Sequence, residues 1–79
     1  MAMLDIADLE DRVRKEITGA DVTVDTDGYY YNFTVVSDVF DGLNAVKRQQ
    51  LVYGALNDLI SSGELHAVNI KTQTTEEAR

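Results

Sequence analysis

Apolar residues recur along the chain with two different periods, and the switches between them mark out the elements. Ile6, Leu9, Val13 and Ile17 follow the three-and-four spacing of one stripe on an amphipathic helix. Asp5 or an immediate neighbour caps that helix, and Asp8, Glu10 and Asp11 crowd its positive end. Arg12, Arg14 and Lys15 lie toward the negative end. Glu10 with Arg14, and Asp11 with Lys15, are i,i+4 pairs in the favourable order. Gly19 is the natural stop.

Alternation then replaces the helical period. Val22 and Val24 interleave with Asp21, Thr23 and Asp25, the pattern of a half-buried strand, and Asp27-Gly28 signals a hairpin. Beyond it Tyr29, Tyr31, Phe33 and Val35 are expected on the core face. Tyr30, Asn32, Thr34 and Val36 fall on the other face, with Tyr30 near the turn. Asp41-Gly42 closes this region. From about Asn44 to Ser61 the helical period returns, with Val52, Leu56, Leu59 and Ile60 as the buried stripe and Tyr53 packed beside it. Gly54 marks a weak point or a close approach, and Ser61-Ser62-Gly63 ends the helix. A last strand from Leu65 to Thr72 places His66, Val68 and Ile70 on one face.

The order helix, hairpin, helix, strand permits a parallel pairing of the last two strands through the helical crossover. An α+β fold with a mixed three-stranded sheet and helices on one face is the economical solution. Nothing divides residues 1–79 into more than one domain. The polar stretch 73–79 is expected to fray, or to start a short helix at Thr74 or Thr75 ahead of Glu76-Glu77.

A 79-residue chain buries only about 60% of the surface it exposes when unfolded, so its periodic apolar positions are needed for the core. It contains no cysteine. Disulfides, thiolate metal sites held by this chain and a cysteine nucleophile are therefore excluded. Fourteen acids against seven bases give a net charge of −7, which repels polyphosphate at long range. The N-terminus has no basic start followed by a long apolar run, so a leader peptide is not expected. No apolar run approaches the ~20 residues that span a bilayer, and a soluble, cytoplasmic protein is expected.

Catalytic equipment is sparse. No glycine-flanked nucleophilic serine and no Gly-rich phosphate loop occur. Asp5, Asp8, Glu10 and Asp11 read as a solvated helix face, and Asp25 and Asp27 flank a turn, so an enzyme is not expected. His66 is the sole imidazole. Taken alone it reads as a half-buried strand histidine satisfied by a backbone carbonyl, and one histidine makes no complete metal site. It could still supply one ligand to a metal held mostly by another protein. Lys47, Arg48 and Lys71 are the available cations for phosphate contact, although in a chain of net charge −7 ordinary surface charge is the favoured reading of them. The run Tyr29-Tyr30-Tyr31 could stack on bases, but alternation assigns two of the three to the core.

Two segments resemble a known family. Phe40-Asp41-Gly42-Leu43-Asn44-Ala45-Val46-Lys47-Arg48-Gln49-Gln50-Leu51-Val52-Tyr53-Gly54-Ala55-Leu56 is similar to the central segment of BolA-like proteins. Gly63-Glu64-Leu65-His66-Ala67-Val68-Asn69-Ile70-Lys71-Thr72 resembles that family's C-terminal strand, with its histidine followed by alanine. The similarity runs from about Asp5 to Glu77 and is nearest the short, acid-stress-associated bacterial branch. It implies an α-β-β-α-α-β fold like that of class II KH domains, with the long helical segment broken near Gln49 to Leu51. It also implies partnership with a monothiol glutaredoxin, in which a [2Fe–2S] cluster is held by the glutaredoxin cysteine, glutathione and the BolA histidine. By motif match that histidine is His66, and the resemblance reverses the bland reading of it. Imidazole in place of thiolate removes negative charge, raises the reduction potential and gives a protonation-sensitive ligand.

The sequence departs from the family pattern at one position that matters. Many relatives carry a second ligand, histidine or cysteine, in the loop between the first two strands, and counting back from Phe40 puts that position at Tyr30. Tyrosine is a poor [2Fe–2S] ligand. That leaves Asp27, water or a partner atom for the fourth position, or binding without a stable shared cluster. The competing reading is a nucleic-acid-binding regulator of the stress response through the KH-like surface, with DNA met by Lys47, Arg48 and Lys71. Against it, the Gly-x-x-Gly loop of KH domains is absent, since Gly42 and Gly54 have the wrong spacing. A homodimer that occupies the glutaredoxin-binding surface is a third possibility.

Overall fold

Asp5 starts the first helix, α1 (Ile6–Glu16), by accepting the Ala7 N–H on Oδ1 at 2.9 Å. The structure, a computed structural model, describes residues 4–79. Residues 1–3, the beginning of the stretch read above as no leader, lie outside the described residues. Leu9, Val13 and Ile17 are buried on one side of α1, as the spacing predicts. Arg14 reaches Glu10 at 3.6 Å and Asp11 at 3.1 Å. The expected Asp11–Lys15 pair is thus replaced by an i,i+3 pair, because the Arg14 fork lies between both acids.

Strands β1 (Asp21–Thr26) and β2 (Tyr30–Val36) form an antiparallel hairpin, and β3 (Ala67–Gln73) joins β2 in parallel, giving the order β1-β2-β3. This is the mixed sheet expected. Phe33 sits at its centre, with Val24 opposite on one side and Ile70 on the other. Both helices cover the face that carries Val22, Val24, Tyr31, Phe33 and Val35, all buried. The opposite face is uncovered and polar. There Asn32 donates to Asp25 at 2.9 Å and Asn69 donates to Asn32 at 3.0 Å, a hydrogen-bonded row across all three strands. Each sheet edge also takes one bond from a helix. Glu10 accepts the Val24 N–H at 3.3 Å, and Gln49 donates to the Ile70 carbonyl at 2.9 Å.

The helical crossover corrects the sequence reading. A single 3-10 turn (Asp38–Phe40) precedes one unbroken helix, α2 (Ala45–Ser62). The interruption therefore falls upstream of Gln49 to Leu51. Those residues are all competent helix formers, whereas Gly42 adopts φ +80° and Asn44 caps α2 by accepting the Lys47 N–H at 2.9 Å. Val52, Leu56 and Leu59 are buried and Ile60 partly so, with Ala55 completing the stripe. Tyr53 is instead 41% exposed, because it turns off that stripe toward solvent. Leu65, buried to 1% exposure, is a core residue that periodicity did not single out.

The C-terminal stretch is docked where fraying was expected. Thr74 donates its N–H to Glu77 Oε1 at 2.9 Å, and Glu77 returns its N–H to Thr74 Oγ1 at 3.1 Å. This is the reciprocal arrangement of a capping box. Thr75 donates to Asp38 at 3.1 Å, and Arg48 pairs with Glu77 at 2.8 Å. The Arg48 guanidinium, with the Thr74 N–H, holds the Glu77 carboxyl below its ordinary value. No helix among the described residues is long and apolar enough to cross a membrane.

Candidate functional site

The end of α2 fixes where His66 stands. Gly63 takes φ +83° and donates its N–H to Ile60 at 3.2 Å, and the Leu65 N–H returns to Leu59 at 3.1 Å. Leu65 then buries its side chain, and β3 begins at Ala67. His66 is held between these two anchored neighbours. It lies just before the strand and is exposed, not half-buried on the strand as its sequence position suggested. Two chain constraints produce the change: the helix cap consumes Glu64 and Leu65, and pairing with β2 starts one residue later. A methyl group added at Gly63 would stand 3.9 Å from His66 Cε1, so the ring lies over the last turn of α2. Among the described residues no hydrogen bond engages the imidazole, and no three His, Cys, Asp or Glu side chains come together. The ring is thus available as a single ligand, and any multinuclear group here requires donors from outside this chain.

Parallel pairing brings the β1–β2 turn to the same end of the sheet. Tyr30 stands opposite Ala67, the residue after His66. The register pairs Thr26 with Tyr31, so Gly28 and Tyr29 are the two central residues of the turn. Gly28 supplies φ +101°, and among the described residues only glycines have positive φ. A positive φ confined to the first central position matches a Gly-X hairpin turn, shifted by one from the Asp-Gly turn predicted. Tyr29 consequently leaves the core face assigned to it and is 64% exposed. Tyr30 faces away from the core, as expected, at 46% exposure.

Asp27 builds this turn. Its Oδ1 accepts the N–H groups of Tyr29 at 3.0 Å and Tyr30 at 2.8 Å. Those two donors, Tyr29 first, hold the carboxyl below its ordinary value, so it is anionic at neutral pH. Thr26 Oγ1 donates to the Tyr30 carbonyl at 2.8 Å and accepts the Gly28 N–H at 2.9 Å. The fourth-ligand candidates Tyr30 and Asp27 therefore sit on a rigid loop at the His66 end, with one Asp27 oxygen committed to the backbone.

The three candidate phosphate contacts do not converge. Arg48 pairs with Glu77, donates to the Leu43 carbonyl at 2.9 Å and lies 6.0 Å above the Phe40 ring. It is a structural clamp on the C-terminal turn, with its charge already matched. Lys47 borders a groove between α1 and α2 with Glu16 and Leu43. Lys71 stands beside Thr34 on the uncovered face of the sheet. Arg12 bridges the helices to Asp58 at 2.9 Å, which keeps the Asp58 carboxyl below its ordinary value.

A helix–hairpin–helix–strand domain of this topology, with one exposed imidazole at the sheet end, defines a small α+β class. Comparison with known proteins assigns the family. The chain matches the model for BolA-like protein over residues 5–77 and belongs to that family. It is 42% identical over 57 residues to acid stress protein IbaG of Escherichia coli, covering 72% of this chain and 68% of that protein. An uncharacterized protein of Buchnera aphidicola is 37% identical over 65 residues, covering 82% of this chain and 81% of the relative. Among solved structures, a bolA protein homologue from Coxiella burnetii superposes with a TM-score of 0.81 at 28% identity, over 96% of this chain and 97% of the other. The BolA domain of SufE1 from Arabidopsis thaliana gives 0.77 at 30% identity, over 90% and 92%. The family resemblance and the α+β fold expected from sequence both hold.

Proposed function

We propose that this chain is a non-enzymatic partner of a monothiol glutaredoxin and lends His66 as one ligand to a [2Fe–2S] cluster. The glutaredoxin cysteine and glutathione supply the thiolates. The observation that carries this reading is the exposed, unengaged imidazole at the head of β3, fixed on both sides by anchored residues. Similarity to a BolA domain carried in a SufE-like protein supports an iron–sulfur role. The cluster, when bound, supplies iron and sulfide that can be transferred. This chain's part is positional: Leu65 and the β2–β3 pairing set the height of His66, and the α2 end sets the ring's backing. A ligand so held loses little conformational freedom when it binds. Asp27 and Tyr30 line the same end, and neither is a soft donor of the kind iron–sulfur clusters favour. The fourth position is accordingly filled by the partner's side of the site.

The test is anaerobic cluster reconstitution of the protein with a monothiol glutaredoxin and glutathione, followed by visible absorption and circular dichroism. A spectrum distinct from that of the glutaredoxin alone, and absent with His66→Ala, is the expected outcome. If adding this protein leaves the glutaredoxin spectrum unchanged, the shared-cluster reading fails.

A further inference from the structure

Three tyrosines follow one another at the hairpin, yet only Tyr31 is buried. A domain this small has few aromatic side chains to spare from its core. Tyr29 and Tyr30 nevertheless leave large parts of both rings in solvent. Their ring centroids are 5.2 Å apart with planes at 88°, an edge-to-face pair. Such a pair covers one face of one ring and leaves the other faces open. Across the sheet, the residue opposite Tyr30 is Ala67, whose methyl group is too small to cover it.

The loop beneath the rings is already ordered. Asp27 binds two N–H groups and Thr26 binds both Gly28 and Tyr30. A partner that meets these rings therefore spends little free energy on ordering the loop. Exposed, preorganised aromatics are the residues that dominate protein interfaces. Their faces attract cations, with lysine and arginine as the protein examples. The surrounding charge has the same preference. Asp27 lies in the turn itself, Asp25 is on the uncovered face diagonal to Tyr30, and the chain as a whole carries −7.

We propose that Tyr29 and Tyr30 form a docking point for a lysine or arginine side chain on the partner that brings the cluster thiolates. This rests on the glutaredoxin reading above and adds the surface and the chemistry of contact. Tyr30 then serves the position of the family's loop ligand as a contact residue, not as an iron ligand. Base stacking by the same rings is disfavoured, because the adjoining carboxylates repel phosphate.

The test is calorimetric titration of cluster-free monothiol glutaredoxin, with glutathione present, into the protein and its variants at low and high salt. Thermal melts establish that each variant is folded. Tyr29→Ala with Tyr30→Ala should weaken binding by about 30-fold, as expected for loss of a principal anchor. Tyr29→Phe should stay near the parent affinity, and Tyr29→Leu, which keeps bulk but loses the aromatic face, should fall by roughly fivefold. Asp25→Asn retains the acceptor for Asn32 but removes a charge, so it should flatten the salt dependence. Unchanged affinity in the double alanine variant, or equal affinity for Leu and Phe, would overturn the inference while leaving the glutaredoxin reading intact. Tyrosine-dependent binding of a single-stranded oligonucleotide in place of the glutaredoxin would also overturn it. Absence of any binding by the unsubstituted protein would instead remove the glutaredoxin reading and this inference with it.

Discussion

Phe33→Ala is expected to remove about 3–5 kcal/mol from the stability of the domain. The side chain is 1% exposed in the middle strand, between Val24 and Ile70, beneath both helices. Truncating a buried phenylalanine costs about 3–5 kcal/mol, from lost transfer energy and the cavity left behind. A chain of this length has roughly 4–12 kcal/mol in total at the usual stability per residue. A loss of that size therefore removes about a quarter of the stability at least, and most or all of it at the lower end. Urea unfolding followed by far-ultraviolet circular dichroism should show the midpoint falling by roughly 3 M, given a slope near 1 kcal/mol per M. Val39→Ala, at a position 54% exposed, should change stability by no more than about 0.5 kcal/mol. If Phe33→Ala were as mild as Val39→Ala, the sheet would not be organised around Phe33.

The largest functional effect is expected from changing the ligand type at position 66. His66→Cys keeps a metal-binding group at the head of β3 but exchanges a neutral imidazole for a thiolate. The complex with glutaredoxin and glutathione should still form a cluster, because thiolate is the better iron–sulfur ligand. Its reduction potential should fall by on the order of 100 mV, since added negative charge stabilises the oxidised form. Protein-film voltammetry of both complexes reads this directly. A potential that does not move would mean that the side chain at position 66 is not bound to the cluster.

Much of this molecule is legible from local pattern, and the misreadings have specific physical origins. The stripe of α1 and the alternation of β1 and β2 predict their buried residues, because one face of each element meets a single core. Alternation extended through Asp27-Gly28 puts Tyr29 in the core. The turn uses Gly28-Tyr29 as its central pair, and a shift of one residue there moves a large side chain into water. A strand drawn from Leu65 to Thr72 on sequence pattern includes His66. Leu65 actually belongs to the helix cap through its bond to Leu59, and such a cap cannot be seen in hydrophobic spacing. The docked C-terminal turn is invisible to local pattern for a related reason. Its stabilising contacts, Arg48 to Glu77 and Thr75 to Asp38, join polar residues far apart in sequence. As for the site, the choice of His66 came from its being the sole imidazole and from the family motif. That it shares one end of the sheet with Asp27 and Tyr30 depends on parallel pairing of β2 with β3. The same pairing separates Lys71 from Lys47 and Arg48, which the sequence could only name together.

The central claim, that the His66 imidazole binds iron in a shared cluster, is tested most directly by pulsed electron paramagnetic resonance. The reduced complex would be assembled from unlabelled glutaredoxin and this chain labelled with ¹⁵N-histidine. Because His66 is the sole histidine, any strong nitrogen hyperfine coupling that changes with the label belongs to it. The account predicts that coupling. A cluster signal with no ¹⁵N-dependent coupling would contradict it.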